Sequence, residues 1–274
     1  MSRAAQSLFF ALIYSIYLVA VMEPIQWLLI RPLKALLPRR RDAIQRAWMR
    51  GQARWVLGLA RSLGGMRLEV QGSLPETSCV VVMNHQSLLD IPVAVALMPG
   101  PAPLIPTRAS YRYGFPGISQ LLRMDTHPFV SQGERATRAE HRALAAAADR
   151  VARGERSILL YPEGHRSRDG ELQPFMTPGL ELILRRAHDR PVYIVVVDGL
   201  WSLRSFGDLA LRIAGTRARV AVRGPFARPT SEEQRRQFVD HLHDEMLAML
   251  DGLREPAAES VPSTSAHARA RYAG

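Results

Sequence analysis

Residues 80–90 read V-V-V-M-N-H-Q-S-L-L-D. An apolar run over 79–83 stops at Asn84-His85, and a new apolar-periodic segment begins after Ser87. The pattern predicts a buried strand ending in a short polar turn, then a helix over 88–97. In open α/β sheets, ligands bind in the crevice at the carboxyl ends of the strands. His85 falls there, and Asp90 falls in the first turn of the next helix. Two helical residues five apart would point about 140° from each other. With His85 in the turn instead, the Asp90 carboxylate can reach back to one imidazole nitrogen. That fixes the tautomer and leaves the other nitrogen free as a base. A purely structural reading also fits. Ser87-x-x-Asp90 resembles a capping box with Asp replacing Glu and Ser87 as the helix cap, and His85 is then a satisfied turn residue.

A second strand end has the same character. Residues 157–161, S-I-L-L-Y, read as a strand and run into Pro162-Glu163-Gly164-His165-Arg166-Ser167. Gly164 permits close backbone approach to a ligand. Arg166 offers a fork that matches phosphate oxygens. A bare turn would account for Pro-Glu-Gly equally well. Residues 191–197, P-V-Y-I-V-V-V, form a continuous apolar strand, buried on both faces as in a parallel sheet.

Further strands are expected at 68–70, 209–213 and 218–223. Helices are expected at 43–63, 132–153 and 178–187, with a last one opened by a Thr230-x-x-Glu233 capping box and running to about 253. Residues 104–130 are punctuated by Pro and Gly and read as a short strand, a helical turn region and another strand. Arg108, Arg112 and Arg123, scattered through that segment, suit a phosphate pocket or an ordinary basic surface. The fold class is therefore α/β, with a mostly parallel central sheet flanked by helices.

The chain has 274 residues, 47% of them hydrophobic, which suits one domain with additions at its ends. The one cysteine, Cys79, excludes an internal disulfide and a cysteine-rich metal site. Its place in an apolar strand makes it an inert core thiol. The formal net charge of +11 points to an anionic partner: nucleic acid, membrane surface or phosphorylated substrate.

The N-terminal segment favours the membrane. Residues 4–22 carry no charge, and a bilayer core takes roughly 20 apolar residues in a helix. Glu23-Pro24 interrupts the run before 25–30 resumes it. Arg31, Lys34, Arg39, Arg40, Arg41, Arg46 and Arg50 follow, which predicts a cytoplasmic C-terminal flank and domain. A signal peptide is disfavoured, because the basic charge follows the apolar run and no small-x-small cleavage site is evident. Full crossing and a shallow wedge broken at Pro24 both remain open. The expected division is a membrane anchor with a basic amphipathic helix over 1–64, an enzymatic domain over 65–254 and a disordered tail over 255–274.

The two strand ends together resemble a known family. N-H-Q-S-L-L-D at 84–90 is similar to the N-H-x-x-x-x-D motif of the glycerolipid acyltransferases, and Y-P-E-G-H-R-S at 161–167 to their F-P-E-G-T-R-S motif. The resemblance, over roughly 68–225, is to the lysophosphatidic acid acyltransferase family. It implies acyl transfer from a coenzyme A or carrier-protein thioester to a glycerol hydroxyl, giving phosphatidic acid at a membrane. It makes His85 the general base and Asp90 its orienting partner. Asn84, Arg108, Glu163, Gly164 and Arg166 would form the substrate-binding set, with Arg166 on the acceptor phosphate. Three positions depart from the pattern. His165 replaces threonine, the middle motif reads Leu122-Arg123-Met124-Asp125-Thr126, and the fourth lacks a proline in Val195-Val196-Val197-Asp198.

The implied chemistry needs these residue types. A positioned base must take the hydroxyl proton as the bond forms, an effect worth about 10²–10⁴ in rate. Thiolate leaves readily, so neither metal nor cofactor is expected beyond the thioester co-substrate. Ser87 lacks the G-x-S-x-G setting of a hydrolase nucleophile. The competing readings are a different lyso-lipid acceptor on the same fold, a thioester or lipid hydrolase, and a non-enzymatic membrane adaptor. No basic-aromatic RNA-binding motif is present, so nucleic acid is not an expected partner.

Overall fold

A computed structural model describes residues 2–131, 137–229 and 231–255. The expected tail over 255–274 lies, but for Glu255, outside these residues, as do 132–136 of the expected helix and Thr230.

The central layer is a six-stranded sheet in the order β1 (Arg67–Gln71), β8 (Arg217–Phe226), β7 (Val192–Asp198), β2 (Val80–Met83), β6 (Ser157–Leu160), β3 (Pro103–Leu104). Every neighbouring pair is parallel except β7 and β8. β4 (Thr107–Arg108) and β5 (Phe129–Val130) form a separate parallel pair. The strands alternate with period 2 between two cores. Val81, Met83, Leu159, Val195 and Val197 face one side, with helices α2 (Arg41–Ser62), α3 (Asp90–Leu97) and α7 (Phe206–Arg212). Val80, Val82, Ile158, Leu160, Ile194 and Val196 face the other, with α5 (Arg138–Ala152), α6 (Thr177–Arg186) and α8 (Glu232–Arg254). β7 is buried on both faces as expected, though one neighbour runs antiparallel to it. Cys79 is 1% exposed, and burial pushes its thiol up to about 11, consistent with an inert core group.

Three local expectations are corrected. Residues 209–213 are not a strand. They lie in and just after α7, where Ser205 and Asp208 form a reciprocal capping box and Leu209 and Ile213, four apart, are buried. The last helix is capped one residue later than expected, by Ser231 and Gln234. Ser87 does not cap α3, whose N-cap is Leu89 with no side-chain bond.

The N-terminal segment is one helix, α1, spanning Arg3–Leu36, about 50 Å long at 1.5 Å per residue. It is not broken at Pro24. A proline inside a helix loses a hydrogen bond and clashes with the carbonyl four residues back. Here a π-helical turn precedes each interior proline: Glu23 N–H bonds Leu18 O ahead of Pro24, and Arg31 N–H bonds Gln26 O ahead of Pro32. The widened turns let the helix continue. One face is tied to the domain along its length. Gln6 donates to Leu63 O (2.8 Å), Ser7 accepts from Ala214 N–H (3.1 Å), and Lys34 donates to Gln45 (2.7 Å) and Met124 O (2.6 Å). Glu23 accepts from the Gly117 N–H and Gln26 donates to the Gly117 carbonyl, so the two grip its backbone on both sides. Gly117, at φ +72°, caps α4 (Ile118–Arg123); a Cβ there would press on Met22 and the Leu18 carbonyl. The opposite face leaves Leu8, Leu12, Ile16, Val19, Leu28 and Leu29 exposed. Residues 1–64 thus have no separate core: Phe10, Met49, Ala53, Val56 and Ala60 belong to the core of the sheet.

Candidate active site

β2 and β6 are neighbours in register, Val82 opposite Leu160. Three residues beyond each lie His85 and Glu163, so the two strand ends emerge at one height. The Glu163 carboxylate accepts the His85 N–H (2.6 Å) and the Gln173 N–H (2.9 Å), and the His85 carbonyl accepts the Ser167 N–H (2.7 Å). The backbone of His85 is held at both ends by the turn after β6. Burial pushes the Glu163 carboxyl up to about 7, against the lowering effect of its two N–H donors.

Asp90 is fully buried, and its Oδ2 lies 2.8 Å from His85 Nδ1. The same oxygen accepts the N–H groups of Gln86 (2.6 Å) and Ser87 (2.7 Å). A carboxylate only accepts, so Nδ1 carries the proton and Nε2 keeps its lone pair. Among the described residues, Nε2 has no hydrogen-bond partner. Ser87 has other work: its hydroxyl donates to Leu203 O (2.6 Å) and accepts from Leu89 N–H (3.1 Å). The Tyr161 ring stacks on the imidazole, with centroids 4.2 Å apart. Among the described residues, its buried hydroxyl and Asp90 Oδ1 both lack a hydrogen-bond partner. Burial first, and then the Asp90 charge, hold the Tyr161 hydroxyl well above its usual range.

Two cavities lie here and share Arg108 and Arg166. One, about 310 Å³, is apolar. Tyr14, Leu18 and Met22 of α1, Ala53 and Val56 of α2, Val95 of α3 and Leu121 of α4 help wall it, with His85, Arg108, Gly164 and Arg166 also on its lining. The other, about 770 Å³, is polar and includes Arg108, His165, Arg166, Arg168 and Arg204 in its wall. The Arg166 guanidinium is steered by the Arg204 carbonyl and by the Tyr111 hydroxyl (3.1 Å). Gly164 has φ +70°, and a side chain there would run into Met176.

Of the expected site residues, His85, Arg108, Gly164 and Arg166 line a cavity, and Asp90 stands directly behind His85. Asn84 and Glu163 line neither cavity. Asn84 spends both amide atoms on the Val197 peptide (2.8 Å each), pinning β2 to β7. Glu163 clamps backbone. Arg112 and Arg123 also lie away from the cavities: Arg112 stacks over Tyr113 and Phe129, and Arg123 over Tyr113. Sequence reasoning missed Gln86, whose amide joins Gly170 O and Leu200 N–H, as well as Tyr161, Arg168 and Arg204. Tyr161 opens the second motif and Arg168 follows it, so both could have been found; Arg204 has no local signal. Among the described residues, no cluster of His, Cys, Asp and Glu could hold a metal ion.

A fixed imidazole on an apolar cavity that also holds two arginines shared with a cationic one is equipped for acyl transfer. Residues 67–198 match the family model described as Acyltransferase. The protein is an acyltransferase. The fold is similar to that of the 1-acyl-sn-glycerophosphate acyltransferase PlsC from Thermotoga maritima, at a TM-score of 0.66 and 21% identity, covering 93% of this chain and 97% of that one.

Proposed function

We propose that the protein is a membrane-bound enzyme that moves an acyl chain from a thioester, acyl-coenzyme A or acyl carrier protein, to the free hydroxyl of lysophosphatidic acid. The observation that carries this reading is the placement of the His85–Asp90 pair where the apolar cavity opens onto arginines. The acyl tail lies in the apolar cavity, and Arg166 with Arg108 takes the acceptor phosphate. The acceptor hydroxyl gives its proton to His85 Nε2 as its oxygen bonds the thioester carbonyl carbon. The tetrahedral intermediate then collapses, the C–S bond breaks, and the thiolate leaves with the proton returned by the imidazolium. Asp90 stays ionised throughout and stabilises that imidazolium.

Glu163 and Asn84 are positioning residues in this scheme, because they hold the backbone that carries His85. The exposed apolar face of α1, beside Arg31, Arg39, Arg40 and Arg41, suits a helix lying in the membrane interface, with its inner face kept on the domain. The basic flank suits the anionic cytoplasmic leaflet. Assays of phosphatidic acid formed from acyl-coenzyme A and lysophosphatidic acid in detergent test the reading. Wild type should make product, and His85→Ala should lose about 10³-fold or more in rate. Equal rates in the two would remove the dyad from the chemistry.

A further inference from the structure

The polar cavity holds more positive charge than one phosphate monoester requires. Its wall carries four arginines, Arg108, Arg166, Arg168 and Arg204, with His165 between two of them in sequence. Its two acids are engaged locally. Asp169 Oδ1 accepts from Ser167 Oγ and Glu171 N–H (3.0 Å each), and Asp208 Oδ2 from Ser205 N–H (2.9 Å) and Oγ (2.7 Å). Among the described residues, none of the four arginines has a carboxylate within 4.0 Å, whereas Arg150, Arg156, Arg223 and Arg254 all do.

The four divide into two pairs. Arg108 and Arg166 line both cavities, sharing the apolar one with His85; Arg168 and Arg204 line only the polar one. Among the described residues, Arg204 Nε is buried with no hydrogen-bond partner, and the Arg168 side chain has no hydrogen bond or ion pair. An acceptor whose hydroxyl sits at Nε2 keeps its phosphate close by, and the inner pair serves it. The outer pair is then left for the other substrate. With the acyl tail in the apolar cavity and the thioester at His85, the arm beyond the sulfur leaves on the polar side.

We infer that Arg168 and Arg204 bind the phosphates of a nucleotide thioester, so that the acyl donor is acyl-coenzyme A. This rests on the acyl-transfer reading above. Coenzyme A ends its arm in a diphosphate and a 3′-phosphate, which match planar forked donors in a concave basin. A carrier-protein arm brings one phosphodiester and then a protein surface. A cavity of about 770 Å³ walled by two loops suits the nucleotide better.

Calorimetric titration of coenzyme A into the full-length protein in detergent tests this without turnover. Wild type should bind, and the double substitution Arg168→Ala with Arg204→Ala should weaken binding by about 30-fold or more. Arg168→Lys with Arg204→Lys should restore a large part of it, and pantetheine should bind both forms alike. Lysophosphatidic acid affinity should fall by less than about threefold. No coenzyme A binding by wild type, equal binding by the double variant, or an equal loss of lysophosphatidic acid would each overturn the assignment. So would unchanged coenzyme A binding with lost sedimentation on anionic vesicles, which would give the pair to lipid headgroups. Coenzyme A binding as expected without phosphatidic acid formation would leave Arg168 and Arg204 as nucleotide-phosphate ligands and remove the reading of lysophosphatidic acid as acceptor instead.

Discussion

The two cavities, one containing His85 and both sharing Arg108 and Arg166, are built in opposite ways. The apolar one is walled by side chains from α1, α2, α3 and α4, which lie more than a hundred residues apart at the extremes. Its shape depends on the packing of the whole N-terminal half, α1 included. The polar one is walled by residues 165–173 and 204–208, together with Arg108. Its character comes from a few charges on loops. The first gains free energy by removing hydrocarbon from water, roughly 25 cal/mol per Å². The second acts by charge, which salt screens over about 8–10 Å at ordinary ionic strength. Changes on the two sides should therefore differ in kind.

The largest effect is expected at the boundary between them. Asp90→Ala removes the acceptor shared by the His85 imidazole and the Gln86 and Ser87 N–H groups. The turnover rate should fall by about 10²–10⁴. Stability should fall by about 1–3 kcal/mol, because buried donors are orphaned. Turnover and denaturant midpoint measured together would show both losses. Loss of stability with full turnover would mean that Asp90 serves only the turn.

A pair of variants separates the two sides. Arg166→Ala should raise KM for lysophosphatidic acid by about 10–100-fold, and raising the salt concentration should shrink the gap to wild type. Ala53→Phe fills the apolar cavity beside Val56 and should shift the preferred acyl chain to a shorter one, with no salt dependence. Steady-state kinetics over a chain-length and salt series reads both. A salt-sensitive Ala53→Phe effect would break the distinction.

Glu163 gives a pH signature. Its carboxyl titrates at about 7 in the fold, against about 4.3 in an unfolded chain. A carboxyl with a raised folded pKa favours the fold while protonated. Its contribution is complete below about pH 4 and is lost as pH rises to about 7. Glu163→Gln should flatten that part of the Tm-against-pH curve, whatever its constant cost from the altered clamp. An unchanged slope would place the titration elsewhere.

The smallest effect is expected for Tyr161→Phe. The ring and its stacking on His85 stay, and only the hydroxyl facing the Asp90 charge is lost. The rate should change by less than about tenfold, with a small displacement of the acidic limb of kcat/KM against pH. A loss as large as that of Asp90→Ala would make the hydroxyl part of the dyad.

The sequence was most legible where one strand faces two cores. The apolar runs at 80–83 and 192–197 marked the sheet, and the polar residues that stop β2 and β6 marked the site. It was least legible where one local pattern has two uses. Ser-x-x-Asp occurs at Ser87–Asp90 and again at Ser205–Asp208. The second is a true capping box, and it shows residues 209–213 to be helical despite their alternating Leu-Ala-Leu-Arg-Ile pattern. Leu211, apolar in that alternation, is 62% exposed. In the first, Asp90 turns back to His85, and Ser87 bonds a loop more than a hundred residues away. Only the neighbouring chain decides between the two. Asn84 and Glu163 belong to the same lesson: their places in the motifs were legible, but their partners, Val197 and the His85 and Gln173 backbone, are tertiary. The walls of the apolar cavity were illegible for a related reason, since an uncharged run reads as membrane anchor whether or not its inner face lines a site.

The most direct test of the account is the fate of the acyl group. Thiol release and lipid product should be followed in one reaction containing acyl-coenzyme A and either lysophosphatidic acid or monoacylglycerol, which has the hydroxyl but no phosphate. The account predicts one phosphatidic acid per thiol, and a preference for the phosphorylated acceptor of about 100-fold, the value of a charged pair of hydrogen bonds. Thiol released without lipid product, or monoacylglycerol used equally well, would contradict it.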